Sequence, residues 1–162
     1  MQMSMQTDIV YGFGFNIPKH NAECFKNFIL KHATTIEENY TGDDDLLKLL
    51  ETARNKKDFS FDYDDLFDEF FIMDDYTGAT NPYIAVSKVI NWEENITVSY
   101  LPADEENDEA IVFEKTYPWL LNEKEKSLTL DQLKDILFKY LCELTPTAKK
   151  SDIDFIQNEY WS

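Results

Sequence analysis

The chain has 162 residues, with 32 Asp/Glu against 15 Lys/Arg and a formal net charge of −17. A 43% hydrophobic content with 12 Phe, 9 Tyr and 3 Trp excludes intrinsic disorder and supplies the core of one domain. The acidity argues against direct binding to nucleic acid or anionic membrane, because phosphate contacts require Lys and Arg. There is also no apolar run near the ~18 residues of a membrane span, and Met1–Gln6 lacks the basic-then-apolar layout of a signal peptide, so a soluble cytoplasmic protein is expected.

Ile9, Tyr11, Phe13, Phe15 and Ile17 recur at period two, which predicts a half-buried strand ended by Pro18. Gly12 and Gly14 fall on its other face and indicate a close backbone neighbour or a bend. Asn21 is an N-cap candidate, and Phe25, Phe28, Ile29 and His32 predict a helix over 21–33. A second helix is expected from Thr41-Gly42-Asp43, with Asp43, Asp44 and Asp45 in its first turn and Arg54, Lys56 and Lys57 near its end, as the helix dipole favours. From Asp62 a third helix is expected, with Leu66, Phe67, Phe70 and Phe71 facing inward.

Strands are expected at Tyr83–Ile90 and Ile96–Leu101, joined as a hairpin around Glu93-Glu94-Asn95. An acidic loop, 104–109, leads to a third strand at Ala110–Lys115, giving a three-stranded antiparallel meander. Thr129 and Gln132 match a capping box, and Leu128 with Leu133 matches a hydrophobic staple. The helix that follows keeps Leu133, Ile136, Leu137, Tyr140, Leu141 and Leu144 at helical period and stops at Pro146. Ile153–Trp161 is a short aromatic tail for which an edge strand and a helical turn both stay open. The fold class is α+β: a single domain, 1–162, with an antiparallel sheet of four or five strands and three or four helices packed on it.

The sequence names no reaction. Gly12-x-Gly14 lacks the third glycine of a dinucleotide fingerprint and lies inside a strand. His20, Cys24 and His32 are awkwardly spaced for zinc, and Cys24 and Cys142 read as buried thiols, with no disulfide expected. Loops starting at Asp62 or Asp104 fail the calcium pattern at their sixth and twelfth positions. No catalytic residue, cofactor or metal is expected, and the chain is not read as an enzyme.

The charge is unevenly placed. Residues 58–114 carry sixteen Asp/Glu and the single base Lys88, so this third of the chain holds −15 of the −17. Concentrating one sign costs compactness through self-repulsion. On the expected helix, Asp64/Asp68 and Asp65/Glu69 are like-charge i,i+4 pairs, each unfavourable by about 0.2–0.5 kcal/mol. Fifteen charges on duplex DNA span roughly 25 Å of axis, within the ~40 Å width of a domain this size. A face carrying them therefore comes within about a factor of two of duplex charge density, and a basic groove is its natural partner.

The carboxylate rows of 58–75 and 104–114, interleaved with aromatics, resemble the phage-encoded inhibitors of host defence, the anti-restriction and anti-CRISPR proteins that act as DNA mimics. The resemblance is one of composition and covers the middle third of the chain. It implies a cytoplasmic protein (in the host cell, if phage-encoded) that occupies the nucleic-acid channel of a bacterial defence nuclease. No functional residue transfers from the resemblance; from their charge, the expected contact residues are Asp62, Asp64, Asp65, Asp68, Glu69, Asp74 and Asp75, with Asp104, Glu105, Glu106, Asp108 and Glu109 as a second row and Trp92 or Tyr76 as rim anchors. An immunity protein or antitoxin that neutralises a basic nuclease toxin would use the same physics. A structural or adaptor protein whose acidic face only confers solubility is the third reading.

Overall fold

In the computed structural model the described residues are 7–17, 22–39, 83–115 and 117–161. The first strand, β1 (Thr7–Asn16), organises the sheet because it pairs on both sides. β2 (Ser99–Leu101), β3 (Ala110–Phe113) and β4 (Asp154–Trp161) complete an antiparallel sheet of order β2-β3-β1-β4. Phe13 lies opposite Phe113 on one side of β1 and opposite Phe155 on the other.

The glycines explain how β1 fits between two neighbours. A Cβ at Gly12 would sit 2.1 Å from the Phe113 carbonyl oxygen, and one at Gly14 would sit 1.8 Å from that of Ile111. The close backbone neighbour expected from the sequence is therefore β3.

Five α-helices occur among the described residues: α1 (Ala22–Lys31), α2 (Ala33–Asn39), α3 (Ile84–Glu94), α4 (Glu123–Ser127) and α5 (Leu130–Leu144). The helix expected over 21–33 is α1, and the chain turns at His32 and continues as α2. The capping box of α5 is formed: Thr129 Oγ1 accepts from the Gln132 backbone N–H at 3.1 Å, and Gln132 Oε1 accepts from the Thr129 N–H at 2.9 Å. The helices expected over 43–57 and from Asp62 lie outside the described residues.

The expected strand at Tyr83–Ile90 is instead helix α3. Its β-branched residues favour a strand locally, but Ala85, Val86, Val89 and Ile90 are all fully buried at helical spacing, and tertiary packing overrides the propensity. Asn95 ends α3 in the left-handed region (φ 53°), with its N–H bonded to the Asn91 carbonyl. There is accordingly no hairpin between 83–90 and 96–101 and no three-stranded meander; of these three segments only the last two, as β2 and β3, pair, through Leu101 opposite Ala110. The aromatic tail is settled as edge strand β4, paired with β1 from Asp154–Gly14 to Trp161–Thr7.

Phe15, Ile17 and Ile111 carry one face of the sheet into the main core, where Phe25, Phe28, Ile29, Val86, Ile90, Leu137, Tyr140 and Leu141 cover it. Burying one such side chain contributes about 1.5–3 kcal/mol. On the other face Leu101, Ala110 and Val112 are buried against Val10, Ile156 and Tyr160, a cluster built from strand residues alone. Cys24 and Cys142, expected as buried thiols, are both only partly buried.

Candidate acidic interface

The loop between β2 and β3 carries the second acidic row, and its conformation is fixed from within. Asp104 Oδ1 accepts from the backbone N–H groups of Glu106 (2.8 Å) and Asn107 (2.7 Å), while the Asp104 N–H donates to the Asn107 carbonyl at 3.0 Å. An Asp side chain bonded to the backbone two residues on is the local chemistry that closes such turns. These bonds, that from the Glu106 N–H foremost, hold the Asp104 carboxyl below the usual carboxylate range.

The same loop is tied across to β4. Asn107 Nδ2 donates to the Glu159 carbonyl at 2.7 Å, Asn158 Nδ2 to the Asp108 carbonyl at 3.3 Å, and the Tyr160 hydroxyl to the Pro102 carbonyl at 2.8 Å. A segment that would otherwise be a free surface loop thus has both of its flanks fastened to the edge strand.

The five acids of this row divide by role. Asp104 is spent on the turn. Glu109 is half-buried and accepts from the Tyr100 hydroxyl at 2.6 Å; burial and that carboxylate push the Tyr100 phenol far up, so it stays a donor. Glu105, Glu106 and Asp108 are exposed, and no described group pairs with their carboxylates. Asp104, Glu105 and Glu106 border an open hollow of about 590 Å³ whose other described lining residue is Trp161.

Trp161, at the edge of this hollow, is 54% exposed. Of the anchors expected from the sequence, Trp92 is partly buried against the main core. Tyr76 lies outside the described residues, as does the whole first row: Asp62, Asp64, Asp65, Asp68, Glu69, Asp74 and Asp75. The signal for Trp161 was present in the aromatic tail, but its place beside the loop depends on β4 pairing with β1. That pairing also lays Ile9, Tyr11 and Phe155 on the sheet face that carries Trp161, all of them exposed.

The two acids at the end of α3 are bonded to α5. Glu93 accepts from the Tyr140 hydroxyl at 2.8 Å and Glu94 from Lys139 Nζ at 2.5 Å. Both ring nitrogens of His32 face carboxylates, so its ring is already committed and is not open to a zinc ion shared with Cys24.

Glu125 was missed at the sequence level. Its side chain is fully buried, receiving the N–H groups of Thr97 and Asn122 and the Lys115 ammonium at 2.8–2.9 Å. The Asn122-x-x-Glu125 spacing, a capping box for α4, was the available signal. No helix among the described residues is long and apolar enough to cross a membrane. The chain matches no protein-family model, no curated protein and no solved structure.

Proposed function

We propose that this chain is a non-catalytic, cytoplasmic acidic inhibitor that seats its carboxylate-rich surface in the basic nucleic-acid-binding groove of a bacterial defence nuclease. The observation that carries the reading is the β2–β3 loop. Glu105, Glu106 and Asp108 stand unpaired on a backbone cross-tied to β4, beside an exposed indole, in a segment of 57 residues with one lysine. Preorganisation matters because a rigid loop loses little entropy on docking. Fixed carboxylates steer a cationic partner from a distance and are screened by salt. Aromatic side chains beside them offer flat apolar surface, as stacked bases do between phosphates.

The test is charge reversal. The combined variant Glu105→Lys, Glu106→Lys and Asp108→Lys removes three carboxylates that have no partner among the described residues, so its melting temperature is expected to stay within a few degrees of the parent. Immobilised parent protein is expected to capture a basic nuclease from a bacterial lysate at low salt and to release it along a salt gradient, while the triple variant retains none of it. Capture of the same protein by the variant, eluting at the same salt, would remove the loop from the interface.

A further inference from the structure

His32 sits at the turn between α1 and α2 and is buried. Its Nδ1 lies 2.7 Å from Glu93 Oε2 on α3, and its Nε2 lies 2.7 Å from Glu143 Oε2 on α5. A neutral imidazole has one N–H and one lone pair. In this geometry it would satisfy one carboxylate and turn a lone pair on the other; only the doubly protonated ring donates to both.

The surroundings hold the two carboxylates in their charged form. From α2, Thr35 Oγ1 donates to Glu93 Oε2 at 2.5 Å. From α5, the Tyr140 hydroxyl donates to Glu93 at 2.8 Å and to Glu94 at 3.0 Å, and Lys139 pairs with Glu94. From α1, Lys31 pairs with Glu143. Burial works against charge on Glu93 and Glu143, but these donors and the imidazole outweigh it, so both carboxyls lie below their ordinary range. The Phe28 and Tyr140 rings flank the imidazole, at 4.6 and 5.7 Å between centroids.

We infer that His32 is held as an imidazolium and serves as a one-proton latch that fastens the α1–α2 turn to both α3 and α5, and that loses one of its two carboxylate bonds when the proton leaves. The direction of its pH dependence follows from the sign of the shift. Burial alone would pull the His32 pKa down, but the hydrogen bonds and charges of Glu143 and Glu93 raise it above 6.5. Below 6.5 the ring is protonated both folded and unfolded, and the latch contributes fully. Between 6.5 and the folded midpoint the native state binds more protons than the unfolded one, so this contribution falls as pH rises.

The experiment is a pH titration of the ring nitrogens by 15N NMR on the full chain. His20→Gln simplifies the spectrum, because the chain has two histidines. Both His32 nitrogens are expected at imidazolium shifts below pH 6.5, and to leave them with a midpoint above 6.5 that the Glu93 and Glu143 amides share. Glu143→Gln is expected to move that midpoint to lower pH. A midpoint at or below 6.5, or neighbouring amides that ignore it, would overturn the latch. The parent protein alone decides between these outcomes should Glu143→Gln fail to fold.

Discussion

Gly14→Ala is expected to destabilise the fold by more than about 3 kcal/mol, beyond the usual range for overpacking. The added methyl would lie 1.8 Å from the Ile111 carbonyl oxygen and 2.8 Å from both the Ile111 carbonyl carbon and the Val112 Cα. All three are backbone atoms of a paired strand, so no flexible side chain can move aside. β1 is also held by β4 on its other side, where Gly14 opposes Asp154, so it cannot retreat without breaking that ladder. The entropy that alanine removes from the unfolded chain would return only about 0.4–1 kcal/mol. Against a total stability of about 5–15 kcal/mol this is a large loss. Urea unfolding should show a lower midpoint with an unchanged slope, and Gly12→Ala should fall in the same direction. Gln157→Ala on the exposed face of β4 should stay within about 0.5 kcal/mol of the parent. A Gly14→Ala midpoint equal to the parent's would mean that β1 and β3 are not in this close register.

Glu125→Ala is expected to be of similar size, about 3–5 kcal/mol, the range for removing one partner of a buried ion pair. Three segments meet on this one carboxylate: the chain after α3 through the Thr97 N–H, the exit of β3 through Lys115, and the start of α4 through Asn122. Truncation would leave the Lys115 ammonium, only 23% exposed, without its counter-charge. Adding Lys115→Met to Glu125→Ala should recover part of the loss by removing the orphaned charge. Glu123→Ala, which breaks an exposed pair with Lys126 at 3.5 Å, should change stability by under about 1 kcal/mol. Burial opposes the charge on Glu125, but its N–H donors and Lys115 outweigh it and hold the carboxyl below its ordinary value. Its stabilisation is therefore complete above the unfolded value of 4.5 and is lost as pH falls through the folded one. Equal melting temperatures for parent and Glu125→Ala would show that the three segments are held together by other contacts.

What could be read from the residues was the part of the fold that is decided locally. The alternation Ile9–Ile17, the Thr129/Gln132 box and the run Leu133–Leu144 each carry their own period or cap, and each appears where expected. α3 could not be read this way. Its β-branched residues favour one structure and its burial selects another, and burial depends on α5 and the sheet. The turn at His32 was hidden for a related reason: the two carboxylates that meet its ring are 61 and 111 residues away. At the candidate interface, the acidity of 104–109 was evident from composition, whereas the division of labour within it was not. Asp104 and Glu109 became structural only because Asn107 and Tyr100 reached them, and Trp161 joined the loop only through a strand pairing across the sheet.

The claim that this acidic surface takes the place of nucleic acid is tested most directly by competition on the captured nuclease. Duplex DNA is titrated against the bound protein at several salt concentrations. Mutual exclusion is predicted, with the affinity of each falling steeply as salt rises. A stable ternary complex of nuclease, duplex and this protein, or binding indifferent to salt, would contradict it.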